Sequence, residues 1–99
     1  MKEKEFMNWM VNSDGLSNPT AMSRLSNCRR VCEFEGDLDV HYEKDGCRGL
    51  LIRLDYTKLD EEACLPARHS IPIDGNIYNG TATFRQAVRK YIAFRESQK

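Results

Sequence analysis

Four cysteines, two histidines and a local run of carboxylates are the side chains of this 99-residue sequence that can support chemistry. Cys28 and Cys32 stand four residues apart, so a helix would place both thiols on one face. Cys47, Cys64, His41 or His69 would then have to complete a zinc tetrahedron. The spacing matches no common zinc module and contains no C-x-x-C pair. Two sulfurs one helical turn apart also seldom reach disulfide geometry. The four cysteines therefore read as free thiols, largely core residues, in a reducing cytoplasm. Asp37, Asp39 and Glu43 read as the solvated face of a short helix. No P-loop, dinucleotide fingerprint, nucleophile elbow or metalloprotease motif occurs. The expectation is a non-enzymatic protein with no metal, no cofactor and no small-molecule substrate.

The residues that remain with functional chemistry are polar and basic, on two amphipathic stretches. Asn27 and Arg30 lie on the first, and Arg85, Gln86, Arg89 and Lys90 on the second. A helix laid against duplex DNA uses such groups: guanidinium and ammonium for phosphate, amide and guanidinium for base edges. Bulk electrostatics works against that reading, because the formal net charge is zero. The charge is nonetheless segregated. Residues 1–32 hold five basic and three acidic side chains, residues 33–62 four and ten, and residues 63–99 six and two. Basic flanks thus enclose an acidic centre.

The elements that must position these groups are helical. With 40% apolar residues and no run near the ~20 needed to cross a bilayer, the chain reads as soluble, one domain over residues 1–99. Phe6, Trp9 and Met10 mark a first helix over 2–12. Asn18 as cap and Pro19 at the first helical position open a second, to about Phe34, with Ala21, Met22, Leu25, Cys28 and Cys32 inward. Asp37 starts a short helix to about Lys44. The run 49–54 is assigned to helix rather than strand, and Asp60 to Cys64 adds about a turn. Residues 66–80 read as one long irregular loop, with a small hairpin possible at Asp74-Gly75-Asn76. Thr81 caps a last helix to about residue 96, where Arg95 falls on the apolar side. The expected fold is mainly α, a bundle of about five helices.

The stretch GLSNPTAMSRLSNCRRVCEFEG resembles the second-helix signature of the core-binding, SAM-like domain of tyrosine recombinases, and ATFRQAVRKYIAFR is similar to that domain's last long helix. Asn79 to Ala82 also resembles the entry to a terminal helix in accessory segments of some bacterial nucleases. Together these stretches cover about a third of the chain. The resemblance implies a module that clamps one side of duplex DNA with Asn27, Arg30, Arg85 and Arg89. The acidic centre and the 66–80 loop depart from that family, and no recombinase catalytic domain is present.

Two functions follow as expectations. One is a DNA-binding or accessory module of mobile-element or restriction type, using helices 19–34 and 82–96. The other is a small phage-type inhibitor, complete from Met1, that engages a bacterial defence nuclease through the acidic middle segment. Neither calls for a membrane.

Overall fold

Six helices follow one another along residues 1–99, all of which the computed structural model describes: α1 (Glu3–Asn12), α2 (Asn18–Glu35), α3 (Leu38–Asp45), α4 (Arg48–Arg53), α5 (Lys58–Glu62) and α6 (Ile77–Ser97). There are no strands, so the mainly helical bundle expected from the sequence is the fold observed, and the run 49–54 is helical as far as Arg53, with Leu54 its C-cap, rather than extended. No helix is long and apolar enough to cross a membrane.

The long helices α1, α2 and α6 pack on one another, α3 and α5 pack against α6 as well, and α4 packs on α3. The Cα trace spans 41 × 30 × 20 Å, and the short dimension leaves room for two helix layers. One cluster of 15 buried residues runs through it. At its centre the Phe6 ring meets Tyr91 edge-on at 4.9 Å and Phe94 at 5.5 Å, geometries aromatic quadrupoles favour. The Tyr91 hydroxyl, the one polar atom of this aromatic group, accepts from the Lys2 amide (2.9 Å) and donates to Asp39 (2.5 Å).

Several boundaries differ from the sequence reading, each for a local reason. Ser17 rather than Asn18 caps α2: its hydroxyl accepts from the Thr20 amide (3.3 Å) and pairs with the Thr20 hydroxyl (2.9 Å). Pro19 thus falls at the second helical position, where a missing N–H still removes no helical bond. Met22 is 61% exposed instead of inward, because Ala21, Cys28 and Val31 define the buried line and Met22 follows Ala21 by about 100° of helix rotation. α5 begins at Lys58, since Thr57 and Asp60 form a reciprocal capping box.

The largest shift is at α6. Asn76 caps it, accepting from the Asn79 amide at 2.8 Å, so the helix starts at Ile77 and not after Thr81. The Asn79-Gly80 pair, a turn signal by sequence, is inside the first turns, where Ile73 lies so close that a Cβ on Gly80 would stand 2.6 Å from its Cγ2. Thr81 is buried, and its hydroxyl meets His69 Nε2 at 2.9 Å. The irregular segment therefore runs over 63–76, since α5 ends at Glu62 and not at Cys64, and it forms no hairpin. It is a strap whose His69 and Ile71 are buried and whose Ile73 packs on the core.

Arg95 does not extend past the packed region. It reaches Asp39 and Glu43, each at 2.6 Å, and stacks on Tyr42 at 4.4 Å, tying the end of α6 to α3. Burial works to raise the Asp39 carboxyl, but hydrogen bonds from Tyr91 and Arg95 outweigh it and hold Asp39 below its ordinary pKa.

Candidate nucleic-acid interface

The apolar stripe of α6 (Phe84, Ala87, Val88, Tyr91, Phe94) faces the core, which turns residues 82, 85, 86 and 89 outward. Because α3 packs on this helix and α4 on α3, the outward side of α6 becomes one wall of a groove of about 460 Å³. Arg85, Arg89, Ile92 and Glu96 line that wall. Arg48, Leu51, Ile52 and Asp55 of α4 and its following turn, with Asp45 and Gly46 before it, line the other. The left-handed conformation shared by Gly46 and Cys47 (φ 67° and 66°) lets α4 reverse on α3 over so few residues.

Of the six residues expected to contact DNA, three come together here. Arg85 and Arg89 line the groove, and Gln86 is exposed between them in an adjoining recess with Ala82. Lys90 is one residue along but is held away: its ammonium pairs with Asp14 of the α1–α2 turn at 2.7 Å. Asn27 and Arg30, on α2, line neither depression. Asn27 is half-buried, and Arg30 lies over the Phe34 ring (5.0 Å) with Glu33 at 3.9 Å. The two basic helices therefore do not merge into one stripe around this groove. Arg48 joins it instead, a residue that sequence reasoning passed over. Helical phase cannot reveal it, because its place depends on the α3–α4 reversal.

The charge state of the groove is set by what its residues lack. No carboxylate lies within ion-pair distance of Arg48, Arg85 or Arg89, whereas most other arginines have one. The Nε–H of Arg85 is covered and has no acceptor. Three carboxylates share the groove. Glu96 is neutralised by Lys99 (2.7 Å), and Asp45 accepts from the Gly49 amide (3.0 Å). Only the Asp55 side chain has no partner.

The acidic middle of the chain is, by contrast, largely consumed. Glu33, Glu35, Asp37, Asp39, Glu43, Asp60 and Glu61 are all in ion pairs, leaving Asp45, Asp55 and Glu62 of the ten acidic residues over 33–62. Glu35 is the most buried of them. Burial raises its pKa, yet Arg53 and the Ser70 amide (2.7 Å) bring it below the usual carboxylate range.

The cysteines form no site. No group of three or more His, Cys, Asp or Glu side chains has a geometry that could hold a metal ion. Cys28 donates to the Ala87 carbonyl (3.3 Å) and Cys47 to the Leu38 carbonyl (3.7 Å), both buried; burial pushes the Cys28 thiol far up and the Cys47 thiol up to about 11.

No protein-family model, curated protein or solved structure matches this chain.

Proposed function

We propose that this protein is a non-enzymatic nucleic-acid-binding module, most simply a DNA-binding or accessory domain, that engages duplex DNA through the outward face of α6. Arg85 and Arg89, joined by Arg48 from α4, take phosphate oxygens; Gln86 is positioned to reach a base edge. The observation that carries the reading is the gathering of three guanidiniums, none ion-paired, on one open groove. A fold that neutralises seven carboxylates of its acidic segment yet leaves these three arginines without partners keeps positive charge available at that place. Residues 82–95, whose sequence resembles the last long helix of the recombinase core-binding domain, would present this same surface of α6 to DNA. Asn27 and Arg30 would be a second, separate contact on α2.

The competing reading, an inhibitor that presents its acidic middle to a basic nuclease, has only Asp45, Asp55 and Glu62 as unpaired carboxylates. Fluorescence anisotropy with a labelled duplex separates the two. Binding should weaken as salt rises, and Arg85→Ala with Arg89→Ala should flatten the log–log salt slope by about 2, close to 0.9 for each phosphate no longer neutralised. A folded protein that binds no duplex at low salt, or a double variant with an unchanged slope, overturns the reading.

A further inference from the structure

The groove that holds the free arginines is built in a way a continuous phosphate backbone does not require. Aliphatic side chains stand on both of its walls, with Leu51 and Ile92 half-buried and Ile52 62% exposed. Asp55, the one carboxylate in it whose side chain has neither a hydrogen-bond nor an ion-pair partner, would repel a phosphate lying beside it. Guanidiniums on both walls, aliphatic surface beside them and an acceptor without a partner are instead the parts that can hold a single nucleotide with its base turned inward. The volume of about 460 Å³ falls within the ~300–1,000 Å³ of small-ligand sites.

We infer that the groove between α4 and α6 captures an unstacked nucleotide, its phosphates on Arg48, Arg85 and Arg89, its ring on Leu51, Ile52 and Ile92, and an exocyclic amino group donating to Asp55. This rests on the nucleic-acid reading above and adds base selectivity to it. A carboxylate accepts from the N4 amino group of cytosine, whereas thymine presents the O4 acceptor at the same position. The two pyrimidines are similar in size and stacking surface, so a difference between them isolates the hydrogen bond. Single-stranded segments, ends and flipped bases supply such nucleotides; an intact duplex does not, unless a base is extruded.

The test measures binding of single-stranded oligo-dC and oligo-dT of equal length at neutral pH, beside the duplex used above. Wild-type protein should prefer oligo-dC by roughly tenfold, the lower part of the range for one good base contact. Asp55→Asn, whose amide can donate to O4 as well as accept, should bring the two within about threefold. Removing Arg85 and Arg89 should weaken both strands alike. Equal binding of oligo-dC and oligo-dT by the wild type overturns the inference, as does an Asp55→Asn variant that binds both more tightly by one factor, the signature of mere charge removal. If the duplex binds with the expected salt slope while that happens, the function stands and only the nucleotide pocket fails; if no nucleic acid binds, both fail. Asp55 is exposed and its side chain holds nothing in the fold, so the variant should keep the wild-type unfolding midpoint.

Discussion

The hydroxyl of Thr81 should prove a structural atom, and replacing it should destabilise the protein more than its size suggests. Ile71 donates its amide to His69 Nδ1 at 3.1 Å, so Nδ1 is an acceptor and the neutral ring carries its proton on Nε2. That Nε2–H points to Thr81 Oγ1, and both residues are buried. Thr81→Val preserves shape and removes only the acceptor, which strands a buried donor and costs about 1–3 kcal/mol. Thr81→Ser keeps the acceptor and removes one methyl, worth about 0.8 kcal/mol of burial. Urea unfolding followed by far-UV circular dichroism at pH 7 should therefore rank wild type above Ser above Val. The imidazole adds a pH dependence. Burial is the main force that lowers the His69 pKa, with the Arg53 charge assisting and Glu35 opposing. Its contribution to stability is thus complete above the ordinary value near 6.5 and disappears as pH falls from there through the folded pKa, because the unfolded chain binds the proton first. His69→Gln should flatten that part of the stability profile. A Val variant within about 0.5 kcal/mol of wild type, or more stable than the Ser variant, would refute the bond from the strap to α6.

Gly80→Ala would ordinarily stabilise a helix interior by about 0.8–1.0 kcal/mol. Here the new Cβ meets the branched Ile73 side chain at 2.6 Å, and overpacking of about 1–3 kcal/mol should win, so the unfolding midpoint should fall; a rise would show that Ile73 does not seal against the helix. Thiol titration with an aromatic disulfide should modify exposed Cys64 first and half-buried Cys32 more slowly. Cys28 and Cys47 should react only when urea unfolds the chain, and more than two equivalents consumed by folded protein would contradict their burial.

What the sequence made legible is the set of helices whose signals are local. Phe6 and Met10, or Phe84, Ala87, Val88 and Tyr91, repeat at helical spacing, and all are buried as that spacing requires. The errors occur where packing overrides a local signal. Asn79-Gly80 has turn chemistry, but the absent Cβ of Gly80 is used to admit Ile73, and the helix runs through. Thr81 has cap chemistry, but His69 takes its hydroxyl, and Asn76 caps the helix earlier in the chain. Both decisions are made by the strap, whose path no periodicity announces. Arg95 is similar. On an apolar face it is out of place by pattern alone, and only the approach of α3, bringing Asp39 and Glu43, explains it.

The candidate site was half legible for the same reason. Arg85, Gln86 and Arg89 are close in sequence, so one helix suffices to gather them. Arg48 arrives through the α3–α4 reversal and Lys90 departs through a partner 76 residues away, both tertiary facts. Charge by segment was the more misleading guide. A centre with four basic and ten acidic residues appears repulsive to phosphate when counted along the chain. An ion pair, however, has little field beyond a Debye length of about 10 Å, and seven of those carboxylates are paired within the fold. What a polyanion meets is the remainder after this cancellation, not the sum over the sequence. On the α4–α6 face that remainder is three guanidiniums against Asp45 and Asp55, Glu96 being paired with Lys99. Asp74→Asn removes the same formal charge as Asp55→Asn, but from an exposed carboxylate that lines no part of the groove, so it should change DNA affinity far less. If the two substitutions had equal effects in the anisotropy assay, net charge and not its local placement would govern binding.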